Sequence, residues 1–138
     1  MYEPLSFDYE IFLGMPLLPA KGRCLNILNN GDVSYDEILL QFGSGSIRIE
    51  VDEDTDQLII SPYHGEIEGD WVGIPYLDRC LREELGWCWV GKNYNNYTDL
   101  YVISFQGSEP ELAFCGLASA VSIFQVKTIK DHIATNIM

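Results

Sequence analysis

The stretch ILLQFGSGSIRIEVDEDTDQLIIS (residues 38–61) carries the reading of the fold. Ile38–Phe42 is a strand and Gly43-Ser44-Gly45 turns the chain. Ser46 to Asp52 then alternates, with Ile47, Ile49 and Val51 on one face and Arg48, Glu50 and Asp52 on the other. A period of two marks a strand buried on one side only. Glu53-Asp54-Thr55-Asp56 forms the next turn, and Gln57–Ser61 returns as a strand that ends near Pro62.

Working outward, Trp87–Gly91 and Leu100–Phe105 read as a hairpin whose tip, Lys92 to Asp99, is rich in asparagine and tyrosine. Glu111–Cys115 and Ala120–Lys127 are the last strands, and residues 128–138 read as a flexible tail. On the other side, Leu5 to Ile11 alternates like a strand, Pro16 and Pro19 break the chain, and Cys24–Leu28 is a short strand before the Asn30-Gly31 turn. One helix is expected. Pro75 suits its first turn and Gly86 the position past its end, and Leu77, Cys80, Leu81 and Leu85 share a face. The expected architecture is a single α+β domain over residues 1–138. It has a largely antiparallel sheet of about six strands and one main helix packed across one face.

Composition sets the function classes. Acidic residues number 21 against 8 Lys and Arg, a formal net charge of −13, while 47% of the chain is hydrophobic. The excess is lopsided: residues 1–70 hold 14 acids and 3 bases, residues 71–138 hold 7 and 5. A chain of this kind folds, repels nucleic acid and anionic lipid, and attracts cationic surfaces. With no long apolar run and no basic, apolar start, membrane and export are not expected, and the cytoplasm of a bacterium-like cell is the default location.

No motif indicates a cofactor, a bound metal or a catalytic site. The four cysteines contain no C-x-x-C pair and lie among apolar neighbours. A calcium loop counted from Asp52 fails at its sixth and twelfth positions, which hold Gln57 and Tyr63. His64 beside Glu66, Glu68 and Asp70 is the best candidate for an acid–base pair or a ligand pocket. The Gly43-Ser44-Gly45 and Gly107-Ser108-Glu109 stretches lack the elbow context of a nucleophilic serine.

The leading expectation is therefore a non-catalytic acidic module that binds a basic protein, such as an immunity-type antagonist of a nucleic-acid-acting partner or a mimic of DNA. Its expected contact residues are Asp52, Glu53, Asp54, Asp56, Glu66, Glu68, Asp70, Trp71, Tyr94 and Tyr97. Trp87 and Trp89, on one strand face, are expected to fill the core beneath the helix. Two alternatives stay open: a small enzyme or ligand-binding domain at His64, and a structural protein that acts as a homodimer rather than a monomer.

Overall fold

The computed structural model describes residues 9–27, 33–65, 67 and 69–126. Among them, eleven strands form two antiparallel sheets that enclose one core. The strands are β1 (Lys21–Arg23), β2 (Asn26–Ile27), β3 (Val33–Tyr35), β4 (Glu37–Phe42), β5 (Gly45–Val51) and β6 (Leu58–Tyr63). They continue as β7 (Val72–Gly73), β8 (Leu85–Lys92), β9 (Thr98–Phe105), β10 (Leu112–Leu117) and β11 (Ala120–Gln125). One sheet runs in the order β6-β5-β4-β1-β7, the other β2-β3-β11-β10-β9-β8.

The 38–61 stretch forms the β4-β5-β6 meander as its alternation requires, with Ile47 opposite Leu40 and Ile49 opposite both Ile38 and Ile60. Pro62 sits in β6, an edge strand, where a missing backbone donor costs no ladder bond. Facing this sheet are Tyr101, Ile103, Phe114 and Val121 of the second, all fully buried. The chain passes between the sheets three times, from β1 to β2, from β3 to β4 and, through residues 74–84, from β7 to β8. The first two crossings lie at neighbouring corners. Cys24, at φ 59°, and Leu25 separate β1 from β2, and Asp36 alone separates β3 from β4. The Asp36 N–H donates to the Arg23 carbonyl at 2.9 Å and ties the two corners together.

The expected α+β class with a main helix is overturned: the described residues form an all-β sandwich of two sheets. Its longest helical element is a 3-10 helix of six residues, Pro75–Cys80. Leu77 and Cys80 do face the core, each 1% exposed. Beyond Leu81, however, Arg82 takes a φ of 68° and the backbone turns away to pair with residues 14–17. Arg82 N donates to Leu17 O, Leu17 N to Glu83 O, and Leu85 N to Met15 O, at 2.8 to 3.0 Å. Those bonds satisfy the same groups that a longer helix would, and they fix Leu85 at the start of β8. A short amphipathic run has little helical stability of its own, so tertiary pairing decides its form.

Two further readings change. Tyr9–Phe12 is a 3-10 turn rather than strand, with Phe12 stacked on Phe42 at 5.3 Å between ring centroids; Leu5 to Asp8 lie outside the described residues. Trp87 and Trp89 do share a face, but it is the outer one, because Cys88 between them points inward. Trp87 is 57% exposed, and a register shift between Leu85 and Cys88 lets its N–H donate to the buried Ser104 hydroxyl at 2.7 Å. The expected 128–138 tail also lies outside the described residues.

Candidate functional site

The acidic turn between β5 and β6 is held by its own side chains. The Asp52 carboxylate accepts from Asp54 N–H at 2.9 Å, and Asp56, at φ 58°, donates its N–H to the Asp52 carbonyl at 2.8 Å. Aspartate tolerates this left-handed backbone better than most residues. The Asp56 carboxylate in turn accepts from Ser119 N–H at 2.7 Å, and the Ser119 hydroxyl donates to the Glu53 carbonyl at 3.2 Å. Asp52 thus braces the turn internally, while the Asp56 carboxylate and the Glu53 carbonyl fasten it to the β10–β11 turn. Glu53 and Asp54 are left exposed to solvent.

The β8–β9 tip is built around Asn93. Its side-chain oxygen accepts from Asn95 N–H at 2.9 Å and from Tyr97 N–H at 3.2 Å, while Asn93 N–H donates to the Tyr97 carbonyl at 3.0 Å. This loop presents Tyr94, 99% exposed, and Tyr97, 37% exposed. It also meets the acidic turn: Thr98 N–H donates to the Gln57 side-chain oxygen at 3.1 Å. Three turns distant in sequence therefore share one end of the sandwich, bringing Asp52, Glu53, Asp54 and Asp56 together with Tyr94 and Tyr97. Asp36, just before the Glu37–Glu50 pair, adds to that end, as does Asp99, whose carboxylate accepts from the Asn93 side chain. Nothing in their sequence context marked either one.

The remaining candidates lie elsewhere. His64 follows β6 at the opposite end of that strand from the acidic turn, exposed, with Nδ1 where a side chain on Gly45 would stand (2.6 Å). Glu66 and Glu68 lie outside the described residues, so the structure does not place them with His64. Trp71 is half-buried beneath the Arg23 guanidinium, 4.3 Å from its ring centroid, and acts as an internal cation–π partner. That guanidinium continues into an ion-pair ladder, Arg23–Glu37–Arg48–Glu50, on the outer face of the five-stranded sheet. Leu39, fully buried, sits in this outer row between its cross-strand partners Lys21 and Arg48. Asp70 is exposed.

One cluster has the donors to hold a cation: Cys80 Sγ and carboxylate oxygens of Glu83 and Glu111 lie within 4.8 Å of one another. Burial pushes the Cys80 thiol up to about 11, helped by the Glu111 charge, whereas Arg79 acts in the opposite direction. Burial and the Glu83 charge raise Glu111 as well. A cation there competes with the Arg79 guanidinium and must displace a tightly held thiol proton. All four cysteines are free, and only Cys24 is exposed.

Fold and surface define a small all-β sandwich with an acidic, tyrosine-bearing end. Over residues 1–130 the chain matches a family described as a family of unknown function, DUF6334, and it belongs to that family. No curated protein and no solved structure matches it. Among the described residues no helix is long and apolar enough to cross a membrane.

Proposed function

We propose that this protein is a non-catalytic binding module that engages a basic protein through the end formed by residues 52–56 and 92–99. Antagonism of a nucleic-acid-acting partner, of the immunity type, is the function that best suits such a surface. The observation that carries the reading is the Gln57–Thr98 hydrogen bond, which sets exposed carboxylates beside exposed tyrosines. Carboxylates steer a cationic partner inward and raise its on-rate. Tyrosines supply contact area at low entropic cost, and are among the residues that dominate binding energy. Four free thiols suit a reducing cytoplasm.

The test is affinity capture from a lysate of the native host at low and high salt, with wild type and an Asp54→Lys/Tyr94→Ala variant compared. Neither side chain holds the turn together, so the variant keeps its fold. Wild type is expected to retain a basic protein that salt releases, and the variant to bind it at least tenfold more weakly. Retention that ignores both salt and the substitutions would overturn the reading.

Self-association is a second reading, favoured by the outer face of the six-stranded sheet. Trp89, Val102, Ala113 and Phe124 are successive cross-strand partners there, and Gly91, Leu100, Cys115 and Ser122 form the adjacent row. Neither row holds a charge. Two chains of net charge −13 repel through most of their surfaces, so an uncharged face is where they could meet. On this reading sedimentation velocity shows a dimer for wild type and a monomer for Val102→Glu; wild type that stays monomeric at about 0.5 mM would rule it out.

A further inference from the structure

Next to the acidic end lies a depression of about 550 Å³ between β2 and the β10–β11 turn. Its base is hydroxylic: Ser34 and Ser122, each 4% exposed, are cross-strand partners. On the β2 side Asn26 shares the face of Ser34, and the apolar part of the wall is Leu117, 51% exposed, with Ala118 and Ala120. Its rim carries the carboxylates of Asp36 and Glu53, both solvent-exposed. The 117–120 wall is not free to drift, because Ser119 is bonded to the Asp56 carboxylate and to the Glu53 carbonyl.

An apolar wall on one side, beneath an acidic rim, matches one ligand chemistry. A lysine or arginine side chain has an aliphatic stem that gains from apolar contact and a cationic head that stays at the wet rim. An apolar side chain would leave the Glu53 carboxylate unused, and an anionic one would be repelled by both acids. A guanidinium fits better than an ammonium, since its planar fork can donate to two carboxylates at once.

We propose that this depression is an anchor socket for one arginine side chain of the basic partner, its stem against Leu117 and its guanidinium between Asp36 and Glu53. The inference rests on the reading of the protein as a binder of basic proteins, and it names the residue type that the partner inserts. It is independent of Asp54 and Tyr94, which test that reading.

The experiment is a two-dimensional amide NMR titration of the intact chain with N-acetyl-arginine amide. The citrulline and norleucine amides serve as uncharged matches for the head and for the stem alone. The arginine probe is expected to shift the Ile27 and Ser119 amides with saturation in the millimolar range. Both uncharged probes should bind at least tenfold more weakly, as should the arginine probe to an Asp36→Asn/Glu53→Gln variant. Lysine amide should bind more weakly than arginine. Absence of a saturable shift, equal binding of citrulline, or an unchanged response in the variant would each overturn the socket. The capture experiment separates the two failures. A partner retained through Asp54 and Tyr94 while the probe finds no socket removes this inference alone. A capture that ignores those residues removes the reading beneath it.

Discussion

Gly116→Ala is expected to destabilise the fold by about 3 kcal/mol, the upper part of the usual range for overpacking. A Cβ at residue 116 would fall on the Asp56 carbonyl oxygen, with the carbonyl carbon at 3.0 Å and Val51 Cγ2 at 3.4 Å. Backbone cannot rotate aside as a side chain can. The turn must move as a body, and its bonds from Asp56 and Glu53 to Ser119 go with it. For a chain of this size the loss corresponds to roughly 10 °C in melting temperature. Gly43→Ala and Gly107→Ala are the controls, because a Cβ at either site meets nothing within 4 Å. Both should stay within about 0.5 kcal/mol of wild type in urea titrations. A Gly116→Ala midpoint equal to theirs would mean that the acidic turn does not pack on β10. The same substitution should expose residues 53–56 to proteolysis, which links the site's geometry to the core.

The strands were legible where one face is core and the other solvent. Ile47 and Ile49 against Arg48 and Glu50 show that pattern, and β5 appears as expected. The β8–β9 hairpin was legible for the same reason, together with its asparagine-rich tip. The helix was misread because six residues at near-helical spacing cannot distinguish a 3-10 turn from a longer α-helix. What ended it was the backbone of residues 14–17, distant in sequence and interrupted by Pro16. The number of sheets was also hidden. Two of the three breaks that carry the chain from one sheet to the other, Cys24-Leu25 and Asp36 alone, hold no glycine or proline.

The site was legible as a list of residues but not as a surface. Local patterning identified the 52–56 carboxylates and the 94 and 97 tyrosines, yet nothing local says that Gln57 will bond Thr98 across 41 positions. Nor does it say which acids are used internally. Asp52 and Asp56 hold backbone amides, and Glu37 neutralises two arginines at 14% side-chain exposure. Counting charge thus overstates the acid available to a partner. The residues left free, Glu53 and Asp54, are those whose carboxylates have no task in the fold.

Buried thiols should make this protein lose stability as pH rises above 9. Burial raises Cys88 from 9.0 to about 11, and its only opposing influence is the Tyr101 hydroxyl, which donates to Sγ at 3.3 Å. Tyr101 is itself fully buried and held well above 10 by burial, with the Cys88 charge acting in the same direction. The native state therefore keeps a proton that the unfolded chain has already released. Between pH 9 and 11 the native state binds more protons, so stability falls as pH rises. Cys88 accounts for about 2 kcal/mol of that fall, and Cys80, also raised to about 11, steepens it. Below pH 9 both thiols are protonated in either state and contribute no slope. The measurement is urea stability at pH 8, 9.5 and 11 for wild type and Cys88→Ala. The variant starts less stable, because Tyr101 loses its acceptor, so the slopes are compared rather than the absolute values. Wild type should fall more steeply than the variant, by about 2 kcal/mol over the window. A disulfide reagent at pH 8 should meanwhile label exposed Cys24 in the native state and Cys88 only after unfolding. Parallel slopes, or rapid native labelling of Cys88, would show that the Cys88–Tyr101 pair is open to water and that the second sheet is not sealed against the first.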